Sequence, residues 1–503
     1  MALGIFFGFQ MNEKMDVPLV TTIDTGEEYP LGRVEEVLRY IDHKYVNSID
    51  TDSLSEIAIK AIINELDPHS LYLPPSEMTE VNEEMAGRFK GIGIETLFLN
   101  DTVNIVRVIQ NTPAEKSGIK PFDQIVSIND SVVAGNKIPF QNIRSLLRGG
   151  IKDTNVKLTL NRENELLTLL INLEKIKSNS VQIASMVNDS IGIVKIDQFT
   201  ENTYQEFMTA VEELHDEHSM KHIIIDVRDN PGGVLSQVTK IVNQLFAEKD
   251  RTIVFTQGRK SKKNTYQTNG NTFFKIDKIA VLINENSASA SEILAGAIQD
   301  WDRGVVIGQP SFGKGLVQEQ YNLSNGGALR LTVSQYYTPS GRSIQKDFKS
   351  YSDQYNEPDS LMEKSKFKSL VLDRDLYSNY GIDPDILAGP TLGRFNTREP
   401  ILSYIYQFVF EHMKHHSNSP VDTNYELILQ FKDYAMEQNE LISIEELNKI
   451  EDEVYLNRMK YAFNKISKGR QFAFEENIDN DPCIQSAINQ FIENTPLAKI
   501  NKK

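Results

Sequence analysis

Three short runs in the middle of the chain leave little freedom for its fold. HIIID (222–226), KIAVLI (278–283) and GVVIG (304–308) are apolar along almost their whole length, and helical periodicity fills the gaps between them. Strands apolar on every residue must be covered on both faces, which is the pattern of a mostly parallel sheet linked by crossover helices. IGIVKI (191–196) adds a further strand, and Glu201–His215, Leu235–Phe246 and Ser291–Trp301 read as helices. In such sheets ligands bind outside the carboxyl ends of the strands, so loops at those ends are where chemistry is sought.

The rest of the 503 residues divides around this unit. Leu31, Val34, Val37, Leu38, Ile41 and Tyr45 recur at helical spacing, and a second helix over Leu54–Leu66, with Thr51, Asp52 and Ser53 as candidate caps, stops at LDPHS. Between about Glu80 and Glu174 the texture is short strands broken by glycines, with one helix at Phe140–Leu147, which describes a small partly open barrel. The expected division is 1–30, a signal or anchor remnant and linker; 31–79, helical; 80–174, the barrel; 181–389, the sheet unit, with an insertion loop at 346–368; and 390–503, a helical extension with no glycine-rich loop and no assigned role.

Charge and cysteine content remove several function classes. With 53 Lys and Arg against 70 Asp and Glu the net charge is −17, and no basic run offers a phosphate-backbone footprint, so no nucleic acid partner is expected. The lone Cys483 closes no intrachain disulfide and builds no thiolate metal site. Residues Ala2–Phe9 (ALGIFFGF) are apolar but far short of the roughly 20 residues that span a bilayer. They fit either the stump of a signal or anchor helix or a frayed apolar terminus.

The densest chemical feature is NENSASASEILAGAIQDW (284–301), where an apolar strand meets a helix through serines and alanines. Backbone N–H groups at a helix start are unpaired, so such a turn can present a hydroxyl nucleophile with an amide beside it for an oxyanion. Ser289 between Ala288 and Ala290 is the candidate, with Ala290 N–H as one donor; the same serines would also serve as caps and turn residues. VRDNPGGVL (227–235) supplies a second glycine turn, and Gly232 is the simplest second donor.

None of the eight histidines lies in a glycine-framed loop of the sheet unit. The alternative base is a lysine made neutral by its surroundings. Lys314 in GQPSFGKGLVQ fits, between Gly313 and Gly315, and an extended segment would bring Gln318 to the same face as its partner. Gly308–Lys314 also satisfies GxxxxGK, but Gly315 stands where a magnesium-ligating Ser or Thr belongs, and a strand rather than a helix follows.

In chain order, LDPHSLYL, GRFKGIGIE, NTPAEKSGIKPFDQIVSIND, RDNPGG, SASASEILAGAIQD, SFGKGLVQ, YYTPSGRSIQ and GIDPDI resemble the carboxy-terminal processing, or tail-specific, proteases over roughly Leu31–Ile386. The specific part is SASASE followed by FGKG, with Ser289 and Lys314 25 residues apart. The resemblance implies an α/β multidomain protein: a crotonase-like protease core with a mixed sheet and covering helices, a small PDZ-like domain, and helical ends. It implies Ser289 as nucleophile, Lys314 as general base, Gln318 as its partner and Asp300 as a support. A loop at Lys90, Gly91, Ile92 and Gly93 would receive the C-terminal carboxylate of a protein substrate while the peptide adds to a sheet edge. The implied reaction is peptide hydrolysis near C-termini through an acyl-enzyme, with no metal or cofactor. A location outside the cytoplasm, in the periplasm or cell envelope, goes with it, as do membrane attachment through an N-terminal anchor and a homo-oligomer. The competing expectation is an inert PDZ-type peptide-binding scaffold. The chain departs from the family pattern at Phe122, Asp130 and Asp229, where glycine is usual at the first two and glycine or asparagine at the third.

Overall fold

The computed structural model describes residues 32–150, 152–346, 365–378, 381–389, 398–416, 425–439, 442–493 and 495–500. The ALGIFFGF run, most of the 346–368 segment and the start of the 390–503 extension lie outside these residues. Residues up to Thr79 together with Val317–Val333 form one compact unit, and Glu80–Leu316 with Ser334 onward form the other.

In the first unit, helices Arg33–Lys44 and Thr51–Asn64 precede the strand Leu71–Leu73. The cap of the second helix is Asp50, one residue before the expected candidates; it accepts from Asp52 N–H at 3.1 Å and the Ser53 hydroxyl at 2.7 Å. LDPHS is a side-chain turn. Asp67 accepts from the N–H of His69 and Ser70 and from the Ser70 hydroxyl, and Thr332 bonds to both Asp67 and Ser70. This fixes the antiparallel register of Leu71 on Arg330.

The second unit opens with the small barrel. Strands Ile94–Leu99, Thr102–Val108, Gln124–Ile128, Asn155–Arg162 and Glu165–Asn172 pair antiparallel in that order, with the helix Phe140–Arg148 beside them. Ile105, Ile125, Ile128, Leu158 and Leu160 form its core. The three departures from the family pattern share one explanation. Phe122, Asp130 and Asp229 all have positive φ, at 71°, 66° and 63°. The turns are kept in a glycine-like backbone, at roughly 1–2 kcal/mol per residue, and each side chain finds a partner. The Phe122 ring lies tilted against Phe410 with centroids 5.2 Å apart, Asp130 pairs with Lys157 at 2.7 Å, and Asp229 accepts from the side-chain amides of Asn284 and Asn286.

The central sheet has six strands, Val181–Met186, Ile191–Ile196, His222–Asp226, Lys278–Ile283, Val305–Gly308 and Ile386–Leu387, the first antiparallel and the rest parallel. Helices Leu235–Gln244 and Ala290–Asp300 are packed together, the second also against the sheet strands Lys278–Ile283 and Val305–Gly308. A second cover comes from the C-terminal extension, where Phe474, Ile478, Ile484, Ala487 and Phe491 pack on Ile193, Ile224, Leu282 and Ile307. The helices Arg398–His415, Tyr425–Gln438 and Asp452–Lys468 form another core that includes Leu99 and Val106 of the barrel. The extension thus helps to cover the central sheet and forms a further core against two residues of the barrel. Ser365–Lys368, expected within a loop, is a strand paired with Asp375–Ser378.

Candidate active site

Of the three serines in the SASAS turn, two are structural. The Ser287 hydroxyl donates to Val227 O at 2.8 Å and the Ser291 hydroxyl to Asn230 O at 3.0 Å, both fully buried, which ties this turn to the RDNPGG turn. Ser289 is partly exposed and opens the helix Ala290–Asp300 with φ 53° and ψ −110°. A non-glycine residue in that region is strained, and such strain persists only where surrounding contacts over-determine it.

Those contacts come from Glu292, three residues on and fully buried. Its Oε2 accepts from Ser289 N–H at 2.8 Å and from Lys314 N–H at 2.9 Å. Two nitrogens so close to one oxygen lie within about 6 Å of each other. Its Oε1 accepts from the Ser311 hydroxyl at 2.6 Å and Gly313 N–H at 2.8 Å. Burial pushes the Glu292 carboxyl up to about 7, against the four donors that favour its charged form. On the carbonyl side, the hydroxyl of buried Tyr336 lies against Lys314 O and, at 3.0 Å, Ser289 O.

The lysine loop has its own supports. Gly315 N–H donates to the Gln345 side chain at 2.8 Å and Lys346 N–H to Gly313 O at 2.9 Å. GIDPDI closes on its start: Ser311 N–H donates to Ile382 O at 3.1 Å, and Ile382 N–H returns to the Ser311 hydroxyl at 2.6 Å. Asp300, at the far end of the serine helix, pairs with buried Arg342 and accepts from Ser340 N–H at 2.8 Å. It therefore braces the GRSIQ segment that carries Gln345 and has no direct bond to Ser289 or Lys314.

One expectation about the donors needs correction. Gly232 N–H donates to Asn230 Oδ1 at 2.8 Å, so it is already occupied; Gly233 N–H has no hydrogen-bond partner among the described residues, nor has Ala290 N–H. Gly232 is still required where it is, because a Cβ there would meet Ala288 O and Ser289 Cβ at 2.7 Å and Ala290 N at 2.9 Å. The strand after the lysine starts at Leu316. Gln318 belongs to the first unit, where its amide donates to the Thr332 hydroxyl at 3.3 Å.

Lys90, Gly91, Ile92 and Gly93 lie together where the barrel begins. Lys90 N–H donates to Glu83 at 3.0 Å and Lys90 Nζ to Gly150 O at 2.7 Å, while Ile92 O and Gly93 O accept from Ala114 and Ile109 N–H. Arg148 reaches Glu80 at 3.2 Å and Glu83 at 3.7 Å and lies over the Phe89 ring. Among the described residues, Glu213, Glu217 and His218 could gather ligand atoms within 4.8 Å, but all three are exposed, on the π-helical segment Glu213–Glu217 and the residue after it. Glu292, Tyr336 and Asn230 were not singled out in the sequence. Their only signal is position inside SASASE, YYTPSG and RDNPGG.

A strained serine at a helix start, bound through one carboxylate to a glycine-bounded lysine beside unpaired N–H groups, is the core of a serine-type hydrolase. The chain belongs to peptidase family S41: residues 190–351 match the model of that family and residues 90–173 that of a PDZ domain. It is 32% identical over 343 residues to a "Probable CtpA-like serine protease" of Staphylococcus haemolyticus, covering 67% of this chain and 68% of that one. A protein of the same description from Staphylococcus epidermidis is 33% identical over 316 residues, 62% of this chain and 63% of its own length. A solved photosystem II D1 C-terminal processing protease is 25% identical over 71% of this chain and 86% of that one, with a TM-score of 0.39.

Proposed function

We propose that the protein is an endopeptidase that cuts near the C-termini of proteins by a Ser-Lys mechanism. The observation that carries this is the single Glu292 oxygen shared by the N–H groups of Ser289 and Lys314, which keeps a nucleophile and a candidate base on adjoining loops. Ser289 Oγ attacks the peptide carbonyl and its proton passes to the neutral Lys314 amine. The oxygen that becomes negative is met by Ala290 N–H, at the positive start of the helix, and by the N–H that the Gly232–Gly233 turn leaves unpaired. The tetrahedral species collapses, the C–N bond breaks, and protonated Lys314 gives its proton to the leaving amine. Water then hydrolyses the Ser289 ester with Lys314 again taking the proton.

The PDZ domain supplies recognition in this reading. Its edge strand Ile94–Leu99 is paired on one side only and leads away from the Lys90–Gly93 loop, the place for a peptide strand with its carboxylate at the loop. A location outside the cytoplasm and attachment through the ALGIFFGF run extend the reading and are supported by the sequence pattern alone.

The test is cleavage of an unstructured protein with a small apolar tail. Wild type is expected to shorten it, and Ser289→Ala and Lys314→Ala to lose at least about 10³-fold in kcat. Cleavage by Ser289→Ala at the wild-type rate would end the assignment.

A further inference from the structure

Glu292 stands apart from the other buried charges of this protein. Asp226, Asp300 and Asp385 each face an arginine: Arg228 at 2.7 Å, Arg342, and Arg374 at 2.7 Å. Glu292 has no such ion pair among the described residues, and its carboxylate is held by neutral donors alone: three N–H groups and one hydroxyl. Burying a carboxylate without a cation costs stability, and an amide-capped serine helix could be built without one.

Its placement says what the cost supports. The four donors come from the two halves of the site, Ser289 on one side and Ser311, Gly313 and Lys314 on the other. Ser289 is strained at φ 53°, and Gly313 takes φ 92°, which glycine adopts freely. The N–H groups cannot reverse direction, so only an acceptor on both oxygens satisfies them. A proton on Oε2 would face Ser289 and Lys314 N–H. A proton on Oε1 would face Gly313 N–H and turn aside the Ser311 hydroxyl, which already accepts from Ile382.

We infer that Glu292 is a positioning residue of the proposed reaction: its ionised carboxylate locks the serine turn to the lysine loop, and the site is assembled for attack only while that carboxylate is charged. This rests on the reading of Ser289 as nucleophile and Lys314 as base. The titratable groups on the elements packed around the carboxylate are Lys314 on the lysine loop, Tyr336 against both loop carbonyls, and Lys346, whose N–H holds Gly313. Burial raises Glu292 into the range where activity is measured, to about 7, so its ionisation is visible in a pH profile.

The consequence has a definite sign. Activity needs Glu292 deprotonated and, for base catalysis, Lys314 deprotonated, so both ionisations raise the rate as pH increases. On the acid side log(kcat/KM) should therefore climb with a slope approaching about two, where a lone lysine base gives about one. Glu292→Gln presents an NH₂ group to one pair of donors and cannot ionise.

With the tailed protein as substrate, Glu292→Gln is expected to lower kcat by about 10²-fold with KM within about twofold, and to reduce the acid-side slope from about two to about one. A kcat within twofold of wild type, or a slope that is the same in both enzymes, overturns the inference. Ser311→Ala covers the case in which Glu292→Gln fails to fold. It removes one donor to the charged form and should shift the Glu292 limb to higher pH by about half to one unit. A profile superimposable on wild type overturns the inference by that route. Undiminished cleavage by Ser289→Ala is a separate result, because it removes the catalytic reading itself.

Discussion

The serine turn and the PDZ entry loop are both short, and in the proposed reaction both meet the same peptide, yet they are held in opposite ways. Around Ser289 and Lys314, the backbone N–H of both residues goes to one buried carboxylate, and both carbonyls lie against one buried hydroxyl. At Lys90–Gly93 the holding groups are Glu83, Glu80 and Arg148, side chains that reach water, and Lys90 Nζ anchors on Gly150 O through an exposed contact. A reacting centre gains from geometry fixed before substrate arrives, since reorganisation at the moment of reaction is what preorganised donors avoid. A recognition loop needs contacts that a ligand can exchange for its own.

The comparison breaks most completely if the core needs only a positive charge at 314 rather than a base. Lys314→Arg keeps charge and approximate length but does not deprotonate in the working range, so kcat is expected to fall by about 10³-fold, close to the loss for Lys314→Ala. Near-normal turnover in the arginine variant, measured on the tailed protein, would make residue 314 an electrostatic anchor.

That the sheet and the turns carrying Ser289 and Lys314 could be read from the sequence follows from their local signatures: all-apolar strands, small residues before a helix, glycines flanking a lysine. What could not be read depends on partners far apart in the chain. Glu292 looks like an ordinary acid in a first helical turn, and three of its four donors come from Ser311, Gly313 and Lys314, about twenty residues later. No sequence pattern shows that the Asn230 side chain reaches two residues on to accept from Gly232 N–H. The place of the extension after Pro390 is hidden for a similar reason. Helical periodicity shows that Phe491 and Ile484 have an apolar face but not that this face covers the central sheet. Even the substituted turns follow this rule, since Phe122 makes sense only beside Phe410.

A smaller effect tests how far the fixed region extends. Asp481, in the C-terminal extension, pairs with Arg228 at 2.8 Å, two residues before the Asn230 that holds the Gly232 turn. Asp481→Asn keeps the cap on Cys483 N–H through Oδ1 and removes only the charge. Arg228 retains Asp226, so the expected loss is about 1–2 kcal/mol in thermal unfolding with kcat within threefold. A tenfold fall in kcat without a matching loss of stability would mean that the extension sets the oxyanion turn, and the fixed region would then include it.

The smallest expected effect belongs to the exchangeable loop. Glu83 holds the Lys90 N–H that a peptide carboxylate would need and sets a negative charge at that position, partly offset by Arg148 at 3.7 Å. Near water such repulsion amounts to about 1 kcal/mol. Glu83→Ala frees the donor and removes one charge, so KM for a tail ending in a free carboxylate should fall about threefold, with kcat unchanged. A tail ending in an amide should show no such gain, because it carries no charge to be repelled. If KM rises for both tails instead, Glu83 is scaffold for the loop rather than a stand-in for the ligand. The loop would then be as fixed as the serine turn, and the difference between the two regions would lie in their chemistry alone.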